Sequence, residues 1–136
     1  MGARRKAREI ALQMLYQMEV NPGELEAALE LFWKGLSASQ PVKEFVNRIV
    51  QGVHVRQEEI DNLLAKHSEH WRLARMDMVD KSILRMGVFE IMFCADIPAR
   101  VAMNEAVDLG KKFGAAESGA FINGILDKIS KVEGRI

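Results

Sequence analysis

The sequence predicts an all-α protein, and three observations support this prediction. Apolar residues recur at intervals of three and four along most of the 136 residues, which is the spacing of one helical face. No segment shows the period-two alternation, rich in Val, Ile and Thr, that is typical of strands. A hydrophobic fraction of 49% with only 3 Pro and 10 Gly excludes a disordered chain. At this length we expect a single domain, residues 1–136, around one core.

Turn residues separate the predicted helices of the first half. The first helix extends from about Ala3 to Glu19, and it ends at residues 21–23 because Pro22 cannot continue a helix. The second helix follows directly and ends in a polar loop at residues 37–41. Its apolar stripe consists of Leu25, Leu29, Phe32, Trp33 and Leu36.

The third predicted helix starts near Pro41 and continues to about His67, with a kink expected at Gly52. A short junction around Trp71 follows it. The apolar stripe of this helix begins with Phe45, Val46, Ile49, Val50 and Val53.

A central helix is predicted in the second half, from about Met76 to Cys94. Its second half is apolar nearly all round, which indicates a buried element, and the single cysteine is expected to be a buried thiol. The next helix ends near Gly114, and Ser118 is expected to cap the last one.

Charge and hydropathy restrict the functional classes. Lys plus Arg and Asp plus Glu both number 19, so net charge argues neither for nor against a nucleic-acid partner. The longest apolar run, residues 86–95, is far shorter than the roughly 20 residues that a membrane-spanning helix needs. The N-terminus lacks the apolar region of a secretory signal. We therefore expect a cytoplasmic protein without a membrane span.

The first helix carries the most informative charge pattern. Its cations are Arg4, Arg5, Lys6 and Arg8. On a helical wheel, Leu12 and Tyr16 point away from the core-facing stripe and toward the side of the arginines. The cations can neutralise phosphates and the tyrosine ring can stack on a base. A solvated basic helix start, with Tyr16 packed under a neighbouring helix, is the alternative.

No catalytic or metal-binding constellation is found in the sequence. His67 and His70 have the spacing of two ligands on one helical face, but no cysteine or carboxylate stands at a zinc-ligand spacing with them. The glycines between residues 110 and 124 match neither phosphate-binding fingerprint. The sequence therefore predicts no enzyme activity, no metal site and no cofactor.

Four segments in a fixed order carry a resemblance to a known family. Residues 3–9 are rich in arginine and lead into Ala11–Gln17, which contains an Ala-Leu-Tyr motif. Residues 83–90 lie in the predicted central helix, residues 96–107 include Asp96-Ile97-Pro98, and residues 113–128 complete the order. Together these segments cover essentially the whole chain, and they resemble the NusB family of bacterial transcription antitermination factors.

The resemblance implies an all-helical fold of about seven helices in two packed helical bundles, without catalysis. It also implies a heterodimer with NusE, which is ribosomal small-subunit protein ten. This heterodimer would bind the boxA element in the leader and spacer of nascent ribosomal RNA transcripts. Through other Nus factors and RNA polymerase, the complex would help transcription resist Rho-dependent termination.

The family's motifs assign roles to individual positions of this sequence. The residues assigned to RNA are Arg4, Arg5, Lys6, Arg8, Tyr16, Phe121 and Asn123. The residues assigned to NusE are Tyr16, Asp80 and Lys81. The choice between RNA and NusE stays open for Tyr16, and core packing is the alternative for Phe121. Gly119 and Ala120 stand where relatives often carry a basic or polar residue, so fewer phosphate contacts are expected there.

Two other functional classes remain open. Helical RNA-binding domains of this kind occur fused to ribosomal RNA cytosine methyltransferases, but this length leaves no room for a nucleotide-binding α/β domain. A helical adaptor that binds only protein is the other alternative. In the free protein, an exposed patch formed by Leu12 and Tyr16 is the expected surface of a possible homodimer.

Overall fold

The computed structural model describes residues 2–68 and 76–134, and within these ranges all regular secondary structure is helical. The seven helices found there are α1 (Ala3–Val20), α2 (Leu25–Lys34), α3 (Gln40–Val55), α4 (Gln57–His67), α5 (Met78–Phe93), α6 (Ala99–Phe113) and α7 (Ser118–Glu133). The chain divides into an N-terminal unit, Met1–Val55, and a C-terminal unit, Arg56–Ile136. The all-α prediction and the expectation of two helical groups are confirmed. The predicted junction around Trp71 lies outside the described residues.

The N-terminal unit is built on the packing of α1 against α3, with a smaller contact between α1 and α2. Ala7 and Ala11 of α1 are fully buried, and their small side chains allow α3 to approach closely. The fully buried residues of α3 are Val46, Ile49 and Val50. A hydrogen bond of 3.0 Å from Trp33 Nε1 to Asn47 Oδ1 joins α2 to α3.

The predicted third helix is in fact two helices, so the expected kink at Gly52 is wrong. Gly52 lies inside α3, and the break falls at Arg56, whose backbone has φ −105° and ψ 19°. The physical reason is that the two halves have different partners. α3 packs on α1, whereas α4 packs on α5 and α7, so the break coincides with the change of packing partner. The Arg56 guanidinium lies over the Phe93 ring, with Cζ 4.2 Å from the ring centroid.

The central helix of the C-terminal unit is α5, as predicted. All its residues from Ser82 to Ile91 are buried, and α4, α6 and α7 pack around it. Arg85 forms a bidentate ion pair with Asp61 of α4, with both N···O distances 2.8 Å. Cys94 is only 1% exposed, which confirms the buried thiol.

The turn between α6 and α7 requires glycine for reasons of space. Gly114 ends α6, as predicted, with φ −96°, a value that other residues adopt freely. A Cβ atom at this position, however, would lie 2.7 Å from Ser118 Cβ and 2.8 Å from the Gly110 carbonyl oxygen. The close return of the chain therefore excludes a side chain here.

Ser118 does not cap α7, which corrects the prediction. It is the first residue of the helix, and its Oγ accepts a hydrogen bond of 2.9 Å from the Ala115 N–H. Its hydroxyl also bonds to Asp80, which joins the start of α7 to the start of α5. Burial raises the pKa of the Asp80 carboxyl, and the charges of Asp77 and Glu117 add to this, although the Ser118 hydrogen bond opposes it.

Replacement of Gly114 by Ala is expected to destabilise the protein by about 1–3 kcal/mol, because the new methyl group overlaps the Ser118 side chain and the Gly110 backbone. The matched control is Gly124→Ala, at an exposed position of α7 where a Cβ meets no atom within 4 Å. That change is expected to stabilise by about 0.5–1 kcal/mol through helix propensity. Urea unfolding of both variants measures the difference, and equal stabilities would contradict the packing argument.

Replacement of Asp80 by Asn is expected to stabilise the protein at pH 7, because it removes a charge that the folded state disfavours. A raised pKa in the folded state means that ionisation destabilises the fold as pH rises through and above the ordinary value of 3.8. The stability difference between Asp80→Asn and wild type should therefore shrink as the pH falls toward that value and be largely lost below it. Denaturant titrations between pH 3.5 and 7 measure this, and a difference independent of pH would contradict it.

Candidate nucleic-acid interface

The start of α1 concentrates positive charge in the N-terminal unit. Arg4 and Lys6 are exposed, and Arg5 is half-buried. Gly2 precedes the helix without a side-chain cap, and the first turn contains no acidic residue. The backbone N–H groups at the helix start therefore add their positive potential to that of the cations.

A phenyl ring of α3 gathers three guanidinium groups at this end of α1. The Cζ atoms of Arg4, Arg8 and Arg48 lie 4.7, 5.2 and 5.9 Å from the centroid of the Phe45 ring. These distances fall within the range of a cation–π contact. A groove opens beside the ring, lined by Ala3, Arg4, Pro41, Glu44, Phe45 and Arg48. We call Phe45 and its three arginines the Phe45 cluster.

From the sequence, Phe45 is expected only in the apolar stripe of its helix, and Arg48 belongs to no motif. The sequence does contain one signal for their proximity, which is the spacing of Phe45 and Arg48, because residues three apart share a helical face. That signal does not reveal Arg4 and Arg8, which reach the ring only through the contact between α1 and α3.

The expected exposure of Leu12 is wrong, since its side chain is only 6% exposed. Arg8, one helical turn before it, is 4% exposed. The reason is that α1 buries a wider arc than the single stripe on the helical wheel. A self-association patch containing Leu12 is therefore not present on the surface.

Tyr16 lies in a different environment from the basic residues. It is about 18 Å along α1 from Arg4, at 1.5 Å per residue, and its side chain is 40% exposed. It lines an apolar groove between α1 and α2, in which Val20 and Leu31 are 56% and 70% exposed. The other apolar side chains of this groove are Met14, Met18, Ala28 and Phe32.

The remaining candidates lie in the C-terminal unit. Phe121 is half-buried and Asn123 is exposed, both near the start of α7. Asp80 and Lys81 are half-buried at the start of α5. The bond between Asp80 and Ser118 brings these two helix starts together.

His67 is engaged in an ion-pair network within the C-terminal unit. Its Nε2 lies 2.7 Å from Glu133 Oε2, and Lys66 Nζ lies 2.8 Å from the same oxygen. The hydrogen bonds from Lys66 and His67 lower the pKa of Glu133. His70 lies outside the described residues. Over residues 2–68 and 76–134, no group of three or more potential metal ligands is found, and no helix has the length and apolarity to cross a membrane.

Comparisons with known proteins agree with this architecture. The model of the NusB family matches residues 5–131. The chain is 50% identical to the transcription antitermination protein NusB of Syntrophus aciditrophicus over 129 residues, covering 95% of this chain and 80% of the relative. It is 46% identical to the protein of the same name from Myxococcus xanthus over 134 residues, covering 96% of each chain.

Solved structures show the same fold. The structure of T. maritima NusB superimposes with a TM-score of 0.86 at 33% identity, covering 95% of this chain and 91% of the other. A chain from a crystal structure of antitermination factors NusB and NusE in complex with dsRNA gives a TM-score of 0.84 at 27% identity. That match covers 96% of this chain and 98% of the other. By sequence and by fold, therefore, the protein belongs to the NusB family.

Proposed function

We propose that this protein is a transcription antitermination factor that acts by binding and carries out no catalysis. With NusE it binds the boxA element of nascent ribosomal RNA transcripts in the cytoplasm. The complex then joins other Nus factors and RNA polymerase, and the transcript resists Rho-dependent termination. The Phe45 cluster at the start of α1 is the observation that carries the RNA-binding part. The relatives named as transcription antitermination proteins support the biological role.

The RNA contacts divide according to exposure. Arg4 and Lys6 are exposed and suited to direct contact with phosphates. Arg8 is only 4% exposed, so we assign it no direct phosphate contact. It adds positive potential to the RNA surface and packs within the Phe45 cluster. In the C-terminal unit, the exposed amide of Asn123 and the ring of Phe121 are suited to unpaired bases, the amide through hydrogen bonds and the ring through stacking.

The apolar groove between α1 and α2 is suited to a protein partner. Its exposed members Tyr16, Val20 and Leu31 are large apolar or aromatic side chains, which are favoured at the centres of protein interfaces. We therefore assign Tyr16 to NusE and not to RNA. In the free protein, a second copy of the chain is the alternative occupant. Of the charged pair on α5, Lys81 is better suited to NusE, because Asp80 is already bound to Ser118.

The first test is fluorescence anisotropy of labelled boxA RNA against a scrambled RNA, with the protein alone and with NusE, at two salt concentrations. We expect boxA to bind more tightly than the scrambled RNA, NusE to strengthen this binding, and salt to weaken it. Binding that is equal for both RNAs and unaffected by NusE would overturn the proposal in favour of a protein adaptor.

The double variant Arg4→Gln/Lys6→Gln tests the RNA surface in the same assay. Loss of two phosphate contacts is expected to weaken RNA binding about ten-fold or more, for boxA and scrambled RNA alike. Lys34→Gln, at the exposed end of α2, is the matched control and should bind as wild type does. Unchanged affinity of the double variant would exclude the start of α1 as the RNA site.

Leu31→Ser tests the partner surface. Leu31 is 70% exposed, so its replacement is expected to leave stability unchanged while weakening NusE binding about ten-fold. Val132→Ser, which is 60% exposed in the C-terminal unit, is the control. Calorimetric titration with NusE measures the affinity. Sedimentation of the free protein shows whether the same change also disrupts a homodimer, and equal NusE affinity of both variants would contradict this assignment.

A further inference from the structure

We propose that Arg48 is an additional RNA-contacting residue, which extends the phosphate-binding surface from α1 onto α3, and that Phe45 positions it. This inference rests on the proposed RNA-binding function. Arg48 belongs to neither the arginine-rich segment nor any other motif of the sequence. Its assignment depends on the geometry of the Phe45 cluster.

The contact with Phe45 is compatible with anion binding by Arg48, whose Cζ lies 5.9 Å from the ring centroid. A cation–π contact does not itself use the N–H groups of a guanidinium as hydrogen-bond donors. Those donors match the geometry of a phosphate, which a guanidinium group can bind through two parallel hydrogen bonds. The same side chain can therefore contact the ring and bind a phosphate.

The ring also lowers the entropic cost of binding. An arginine side chain that is free to rotate loses up to about 2 kcal/mol of rotamer entropy when it is fixed. Phe45 is itself only 6% exposed, so its ring is held by the core of the N-terminal unit. Arg4 and Arg48, with Cζ atoms 4.7 and 5.9 Å from this fixed ring, are partly ordered before RNA arrives.

The charges around the groove favour a polyanion. The lining contains two arginines and one carboxylate, that of Glu44, and Arg8 lies against the same ring. Positive charge continues along α1 through Arg5 and Lys6. A binding surface that spans two helices and continues along one of them fits the repeated phosphates of an RNA strand better than a single small anion.

The experiment compares Arg48→Gln with wild type in complex with NusE, measuring boxA and scrambled RNA affinities at several salt concentrations. We expect both RNAs to bind more weakly, because phosphate contacts carry no sequence information. The slope of log K against log salt concentration should become shallower by about 0.7 for one lost phosphate contact on a single strand. Arg100→Gln, an exposed arginine of α6 in the C-terminal unit, is the matched control and should leave the slope unchanged.

A double-mutant cycle tests the positioning role of Phe45. Phe45→Leu removes the ring and keeps an apolar side chain, and circular dichroism checks that the variant is folded. We expect the combined effect of Phe45→Leu and Arg48→Gln on RNA affinity to be smaller than the sum of the single effects, because the ring acts partly through Arg48. Additive effects would overturn the positioning role.

The outcomes distinguish this inference from the proposed function. If wild type binds boxA together with NusE, and Arg48→Gln has the same RNA affinity and the same salt slope, the role of Arg48 is overturned and the proposed function stays intact. Wild type that does not prefer boxA contradicts the proposed function itself. If Arg48→Gln weakens NusE binding but leaves the salt slope of RNA binding unchanged, the groove binds an acidic protein surface. This result would also overturn the inference.

Discussion

The close packing of α1 on α3 is the contact on which the proposed RNA surface depends. Two alanines of α1, Ala7 and Ala11, are fully buried and let the helices approach closely. This approach brings the arginines of α1 to a ring that belongs to α3. Phe45 is therefore part of the core of the N-terminal unit, at 6% exposure, and also contacts the three guanidinium groups. Stability of the N-terminal unit and organisation of its basic surface share the same side chains.

A comparable constraint acts in the C-terminal unit. Gly114 permits the close return of the chain between α6 and α7. The Ser118 hydroxyl then joins α7 to α5 through Asp80. Both contacts lie at the start of α7, the helix that carries Phe121 and Asn123. The side chains proposed to meet bases therefore belong to a helix whose first turn is held by close packing and by a hydrogen bond.

Helical periodicity predicted the elements well, because an amphipathic stripe depends only on local spacing. It did not predict the break at Arg56, since the change of packing partner between α3 and α4 is a tertiary property. The burial of Leu12 was missed for a related reason, as a helical wheel shows one stripe and not how wide an arc is covered. The motif resemblance indicated the cations of α1 as candidates. Arg48 could not be found in this way, because its relation to Arg4 exists only after two helices have packed.

The separation of charge from apolar surface along α1 has a consequence for how RNA would be bound. The chain as a whole has no net charge, so its long-range attraction for RNA is weak and only the local field at the start of α1 favours a polyanion. The apolar groove containing Tyr16 lies about 18 Å away along the same helix, so a protein bound there need not displace RNA from the basic end. A partner with its own RNA contacts adds them to those of this chain, and because the two events are then linked, each ligand strengthens the binding of the other. Local charge on a neutral protein therefore favours RNA recognition by a heterodimer over recognition by the isolated chain.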